Sequence, residues 1–379
     1  MADLFDYLNW RGDLTFEQAP FCKIDGIILA QLVYINYTGL VSSDFKSQIE
    51  LSRLWDSLKS ARDFTARCDM GPMVSAHTPE LLESASKTAR FSSLKVCAYS
   101  ELFDRQKNEQ FAAVTFILPD KQTVFAFRGT DDTVVGWREN FNLGYLPKIP
   151  SQVQALEYIS AAHKALKSKY ILTGHSKGGN LALHTAVYAD SKIRKKITNI
   201  YDFDGPGFSQ DFYNKPEYIE IKDRLTIVYP EQTIVGMIFH RPRHFEVIKS
   251  DKFAVYQHDP FNWHVTGCNF ENANEVSRES KIFHKSLNNW IETMSVEQKE
   301  KFISSLFIVI NASGYERFSE LTKNVVPASA RMIKCLSGME PDMRDAIFNS
   351  IRELSKVVRA EIPLLKLLSF VYSLLSNNH

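Results

Sequence analysis

One segment constrains this chain more than any other: Tyr170-Ile171-Leu172-Thr173-Gly174-His175-Ser176-Lys177-Gly178-Gly179-Asn180-Leu181-Ala182. An apolar run enters a Gly-x-Ser-x-Gly step and leaves as a helix-forming stretch. The pattern predicts a strand, a sharp turn carrying a serine, then a helix, which is the setting of a nucleophile elbow. The serine of such a turn sits in a strained backbone conformation. Side chains at Gly174 or Gly178 would collide with the neighbouring strand or helix. A chain organised around this unit is directed toward an α/β fold.

The surrounding periodicity agrees. Residues 1–95 read mainly as helix, with helical spacing of apolar groups over Ile24–Tyr34 and Leu51–Phe64 and an N-cap at Thr78 followed by Pro79 in the first turn. Val96–Phe103, Phe111–Leu118 and Thr123–Phe127 then read as a strand meander. Ser151–Lys167 reads as a helix, Tyr170–Thr173 as the elbow strand and Leu181–Ala189 as the helix behind it. Ile197–Phe203, Leu225–Tyr229, His244–Ile248 and Phe253–Tyr256 read as the remaining strands. The expected fold class is α/β: an α/β-hydrolase-like, mixed and mostly parallel sheet with helices on both faces. From about Ser295 the pattern turns helical. We therefore expect a hydrolase domain over 1–290, with a helical lead-in over 1–95, and a helical C-terminal extension over 291–379. Within that extension Ile362–Leu375 is almost entirely apolar. It reads as a helix docking on the body or on a partner chain, with a membrane-surface helix as the alternative.

Composition limits the function classes. The 379 residues carry a net charge of +1, so nothing points to a nucleic-acid partner. The opening residues lack a basic stretch followed by an apolar one, so no signal peptide is expected. No apolar run reaches the length of a membrane span. Five scattered cysteines without a Cys-x-x-Cys pair fit reduced thiols and a cytoplasmic location, and none has metal-ligand spacing.

A serine hydroxyl needs a base to take its proton, normally a histidine held by a carboxylate, in the chain order Ser, acid, His for this architecture. His258 follows the strand expected to be last and is the leading candidate base. His240 and His244, flanking Arg241-Pro242-Arg243, are alternatives, and His264 is a further downstream histidine. For the acid we favour Asp204, which ends the strand after the elbow strand. Glu231 is the main alternative; Asp202 lies deeper and Asp259 is awkwardly adjacent to His258. The oxyanion of a tetrahedral intermediate needs two donors. The backbone N–H of Lys177 is one; the loop Ala126-Phe127-Arg128-Gly129-Thr130-Asp131-Asp132 supplies the other, through Thr130. Arg128 is expected to pair with a carboxylate.

Phe127-Arg128-Gly129-Thr130 together with Gly174–Gly179 resembles the paired signature of class 3 (fungal-type) lipases. More closely, the chain resembles a bacterial, Mbeg-like family of lipase-like α/β-hydrolases catalogued as a domain of unknown function. The resemblance is carried by Asp6–Asp13, Phe127–Trp137, Gly174–Ala182, Asp204-Gly205-Pro206-Gly207-Phe208, Ile234–Met237 and Gln257–Trp263, and leaves the helical tail outside. It implies a Ser–His–acid hydrolase using Ser176, His258 and Thr130. It also exposes a departure. The lipases carry their acid in an Asp-Ile-Val-like step, and here that step reads Thr233-Ile234-Val235. Asp204 replaces the acid, or the site works as a dyad, or activity is low.

The expected activity is hydrolysis of a carboxylic ester of a lipid or other acyl group, without metal or organic cofactor. A non-catalytic ligand- or partner-binding module is the alternative, and a thioesterase or peptidase a weaker one. The expected partners are a small-molecule ester or lipid and, through the C-terminal helices, a membrane surface; the oligomeric state is left open. Val134–Pro150 and Phe208–Tyr218 are the two candidate covers for an acyl pocket.

Overall fold

The structure is a computed structural model and describes residues 1–69, 71 and 74–357. The apolar segment Ile362–Leu375 lies outside the described residues. Eight strands form one sheet in simple chain order: β1 (Ile49–Glu50), β2 (Lys95–Asp104), β3 (Glu109–Ile117), β4 (Thr123–Phe127), β5 (Tyr170–His175), β6 (Ile197–Phe203), β7 (Leu225–Pro230) and β8 (Glu246–Ile248). β1 to β4 pair antiparallel, and β4 to β8 pair parallel. This is the mixed, mostly parallel sheet expected.

Period-two alternation sorts the strand side chains onto two faces. Val124 and Ala126 of β4, Ile171 of β5 and Tyr201 and Phe203 of β6 enter one apolar core. Phe125, Phe127, Leu172 and Ile200 enter the other. The first core is closed by the N-terminal helices α1 (Leu4–Arg11), α2 (Lys23–Leu32), α3 (Leu51–Lys59) and α4 (Thr78–Ser86). A fully buried ion pair ties this layer together. Arg90 meets Asp25 at 2.6 Å, and Asp25 also accepts from Tyr7 Oη at 2.8 Å. Arg90 donates further to the carbonyls of Leu14, Ala19 and Pro20, so the charge is fully engaged.

The helix α5 (Val134–Asn142) follows β4. The second face is covered by α6 (Pro150–Ala165) and α7 (Lys177–Tyr188), the helix behind the elbow. Beyond β8 come α8 (Arg278–Glu292), α9 (Val296–Ala312), α10 (Val325–Ser337) and α11 (Pro341–Val357). They do not stand apart: Val134 and Trp137 of α5 pack with Phe302, Leu306 and Phe307 of α9 in one core. Among the described residues no helix is long and apolar enough to cross a membrane.

Four local expectations need correction. Phe253–Tyr256 is not a strand: Ala254–His258 forms a 3-10 turn, and Ala254 has φ +50°, which breaks an extended run. β8 is shorter than His244–Ile248, because His244 and Phe245 precede its pairing with β7. The helix at Thr78 is capped one residue earlier, at His77. The C-terminal helices begin at Arg278 rather than near Ser295.

Candidate active site

The elbow is built as the glycines require. Ser176 has φ +58° and ψ −131°, an unfavourable conformation for a residue with a side chain. It is held by Ser176 N donating to Phe203 O and Gly179 N donating to Ser176 O, each at 2.9 Å. A Cβ at Gly174 would lie 2.1 Å from the backbone of Gly178, and one at Gly178 would lie 2.1 Å from Phe127 O. The strained serine therefore stands at the carboxyl end of β5, where open α/β sheets bind their ligands.

Two loops bring a histidine and a carboxylate to the same end of the sheet. Nδ1 of His258 lies 2.6 Å from Oδ2 of Asp204, whose side chain is fully buried. A ring nitrogen facing a carboxylate carries the hydrogen, which leaves Nε2 as the acceptor. The other carboxylate oxygen, Oδ1, accepts from the hydroxyl of Thr233 and from Gly236 N at 3.2 Å. Asp204 has φ +52°, and the turn that follows it is pinned by Asn180 Nδ2 donating to Pro206 O at 2.9 Å.

Four of the other candidates, His240, His264, Asp202 and Asp259, have side chains engaged elsewhere. His240 pairs with Glu292 at 3.1 Å, and His264 lies between Asp251 and Glu271. Glu231 is fixed through its backbone to Ile248 and Ser277. Asp259 accepts from Phe261 N at 3.1 Å and so caps a turn. Asp202 accepts from Gly205 N at 3.0 Å beneath the elbow, where burial pushes its carboxyl up to about 8. Arg128 pairs with Glu101 at 2.7 Å, the carboxylate anchor expected for it.

Thr130 and Lys177 line the same cavity as Ser176. The N–H of Lys177 opens α7 and is not used within the helix. The Thr130 hydroxyl donates to Asn140 Oδ1 at 2.9 Å. The cavity holds about 250 Å³ and is also lined by His258 and by the apolar side chains of α5, α8 and α9, among them Trp137, Phe141, Phe283, Leu287, Trp290 and Phe302. Of the two candidate covers, Val134–Pro150 contributes to this wall. Phe208–Tyr218 does not: Phe212, Tyr213 and Tyr218 pack into the core on the second face instead. The hydroxyl of Ser176 carries no hydrogen bond among the described residues, and Ser176 and His258 share the cavity wall.

A model of the Mbeg1-like family matches residues 85–308. The chain belongs to the Mbeg1-like family. That match covers the elbow, the histidine and acid loops, and the helices α8 and much of α9 that roof the cavity. No curated protein sequence matches. Among solved structures the chain is similar to the Rhizomucor miehei lipase in its propeptide complex, at 15% identity and a TM-score of 0.33, covering 52% of this chain and 73% of that one. It is also similar to M37 lipase, at 14% identity and a TM-score of 0.35, covering 56% of this chain and 68% of that one.

Three features of this Mbeg1-like site are absent from the sequence reading. The first is His175. Its Nε2 donates to the carbonyl of His258 at 2.8 Å, and the two rings lie 4.4 Å apart. Burial, and the neighbouring His258, hold its pKa well below the usual imidazole value, so His175 stays neutral and fixes the backbone of the loop. The second is the side chain of Lys177, 1% exposed, which donates to Glu139 Oε2 at 2.6 Å and to Gln110 Oε1 at 2.9 Å. Helix α5 thereby holds both proposed oxyanion residues, Lys177 through Glu139 and Thr130 through Asn140. The third is the link from the C-terminal helices to the Thr130 loop. Val134 N donates to Glu316 O at 2.9 Å and Phe318 N to Asp132 O at 3.0 Å, while the Ser319 hydroxyl donates to the Asp132 carboxylate. Of the two charged residues on α5, Arg138 and Glu139, the acid was the available signal for this network.

Proposed function

We propose that this chain is a serine hydrolase acting on carboxylic esters with an apolar acyl group. The observation that carries the reading is the 2.6 Å contact of His258 Nδ1 with Asp204 Oδ2 beside the strained Ser176, at the wall of an apolar cavity. Ser176 Oγ forms a bond to the acyl carbon as its proton passes to His258 Nε2. The carbonyl π electrons move onto oxygen, which the amides of Lys177 and Thr130 receive. Collapse of the intermediate expels the alcohol, which takes the proton from His258. Water then repeats the sequence on the acyl-enzyme, releasing the acid and restoring Ser176. Asp204 keeps the imidazole in the required tautomer and stabilises the imidazolium.

The apolar wall supports acyl recognition, since each buried methylene adds about 0.8 kcal/mol. A fluorophosphonate probe should label the wild-type protein and not Ser176→Ala, and p-nitrophenyl esters should be turned over by the former alone. Equal labelling of the two, or a folded wild type inert toward every acyl length, would refute the reading and favour a ligand-binding module.

A further inference from the structure

The turn that carries His258 also carries an aromatic pair that the fold does not use. Phe253 and Tyr256 are 76% and 71% exposed, the two most exposed aromatic side chains among the described residues. Their neighbours on the same turn face the other way: Val255 and His258 line the cavity, and Gln257 is buried. The turn is fastened at its backbone. Ala254 N donates to Gln232 Oε1 and Gln257 Nε2 to Lys252 O, each at 2.7 Å. Gln232 N donates to Gln257 Oε1 at 2.7 Å, and His175 holds the carbonyl of His258. A fixed turn thus presents two rings outward while its inner side forms the site wall. Rings left in water beside an apolar cavity mark a contact surface.

The charge around the pair narrows the partner. Lys252, exposed next to Phe253, makes no ion pair among the described residues, and neither does Lys299 on the cavity wall. Of the acidic neighbours, Asp251 is hydrogen-bonded to His264 at 2.7 Å, and Asp259 caps Phe261 N. We propose that the Phe253–Tyr256 turn seats on the surface of a lipid bilayer containing anionic lipid, bringing the cavity behind Val255 against the membrane. The ring of Tyr256, with its polar hydroxyl edge, favours the headgroup level, the wholly apolar ring of Phe253 favours the acyl boundary beneath it, and an unpaired lysine beside them is drawn to anionic headgroups. The docking stands apart from the hydrolytic reading, because none of its residues enters the proposed chemistry.

Co-sedimentation of the full-length protein with vesicles tests it, using phosphatidylcholine alone and phosphatidylcholine mixed with phosphatidylglycerol. The wild type and Ser176→Ala should partition equally well onto the mixed vesicles, which separates docking from catalysis. The double variant Phe253→Ser, Tyr256→Ser should lose about tenfold or more in partition. It should keep its turnover of a short, water-soluble ester and its melting temperature. Lys252→Glu should weaken binding to the mixed vesicles alone. Unchanged partition of the double variant would overturn the proposal and assign any membrane contact to another segment, such as Ile362–Leu375. So would a wild type that ignores both vesicles. A change from dimer to monomer in the double variant, measured without lipid, would also overturn it and assign the pair to a second copy of the chain.

Discussion

Thr233 gives its hydroxyl to the Asp204 carboxylate oxygen opposite the one that meets His258. The resemblance to lipases leads one to look for an acid at position 233, and the residue there instead supports an acid supplied by the neighbouring strand. Gly236 N donates to the same carboxylate oxygen and to the Thr233 hydroxyl. The aspartate is therefore held on both sides.

Removing that support should lower activity without abolishing it. Hydrogen bonds to a charged group contribute about 1.5–3 kcal/mol. Thr233→Val should reduce kcat for a p-nitrophenyl ester roughly tenfold or more, with KM little changed. Asp204→Asn, which presents the wrong partner to Nδ1, should cost about 10⁴ in kcat. Glu231→Gln should match the wild type. A large loss in Glu231→Gln with little in Asp204→Asn would reverse the assignment of the acid.

The buried Lys177–Glu139 pair makes a different prediction. Breaking one partner of such a pair leaves an uncompensated charge and costs about 3–5 kcal/mol. Glu139→Gln should lower the melting temperature and also reduce kcat, because Lys177 is one of the proposed oxyanion donors. The double variant Lys177→Met, Glu139→Leu should recover most of the stability, since apolar replacement of a buried pair is often neutral. Denaturant titration of the three proteins decides; a Glu139→Gln protein as stable as wild type would contradict the argument.

The pH dependence of stability should carry a signature of Asp202. Its carboxyl is pushed from the ordinary 3.8 up to about 8, chiefly by burial, with Asp204 adding to the rise. The folded state therefore keeps a proton that the unfolded chain releases near pH 4. Stability is lost progressively as pH rises from about 4 toward 8. Asp202→Asn lacks this titration while keeping an oxygen for Gly205 N. Urea midpoints should shift in favour of the variant between pH 5 and pH 8 on the order of the same window. Parallel pH profiles for the two proteins would remove Asp202 as the source.

The contact between Asp132 and Ser319 should be felt at the site. Loss of one hydrogen bond to a carboxylate costs about 1.5–3 kcal/mol. Ser319→Ala should therefore destabilise the protein, and it should reduce kcat by more than it changes KM, because Asp132 lies two residues from Thr130. Steady-state kinetics with a short ester would show it; a purely thermal effect would restrict Ser319 to folding.

Much of this arrangement was legible in the chain because its signals are local. Apolar, β-branched and aromatic runs, some of them alternating, pointed to β2 through β7, and the glycines around Ser176 required the bend that the structure contains. His258 and Asp204 were legible as candidates because chain order limits where a base and an acid can arise. The contact between them was not, since it depends on how two loops of separate strands fold over one sheet end. Phe253–Tyr256 reads as a strand because its composition is β-like, whereas Gln232 and Gln257 fasten it as a 3-10 turn. His175, Lys177 and Thr233 show the general difficulty. Each is ordinary in its local context and gains its role from a partner many residues away.

The connection between α9 and α10 reaches back to the loop after β4, through Glu316, Phe318 and Ser319. A chain emerging from the ribosome can assemble the sheet and bend the serine early, yet the Thr130 loop keeps open bonding positions until residue 319 has cleared the exit tunnel. Synthesis therefore delivers Ser176 well before the residues that complete the bonding of the Thr130 loop.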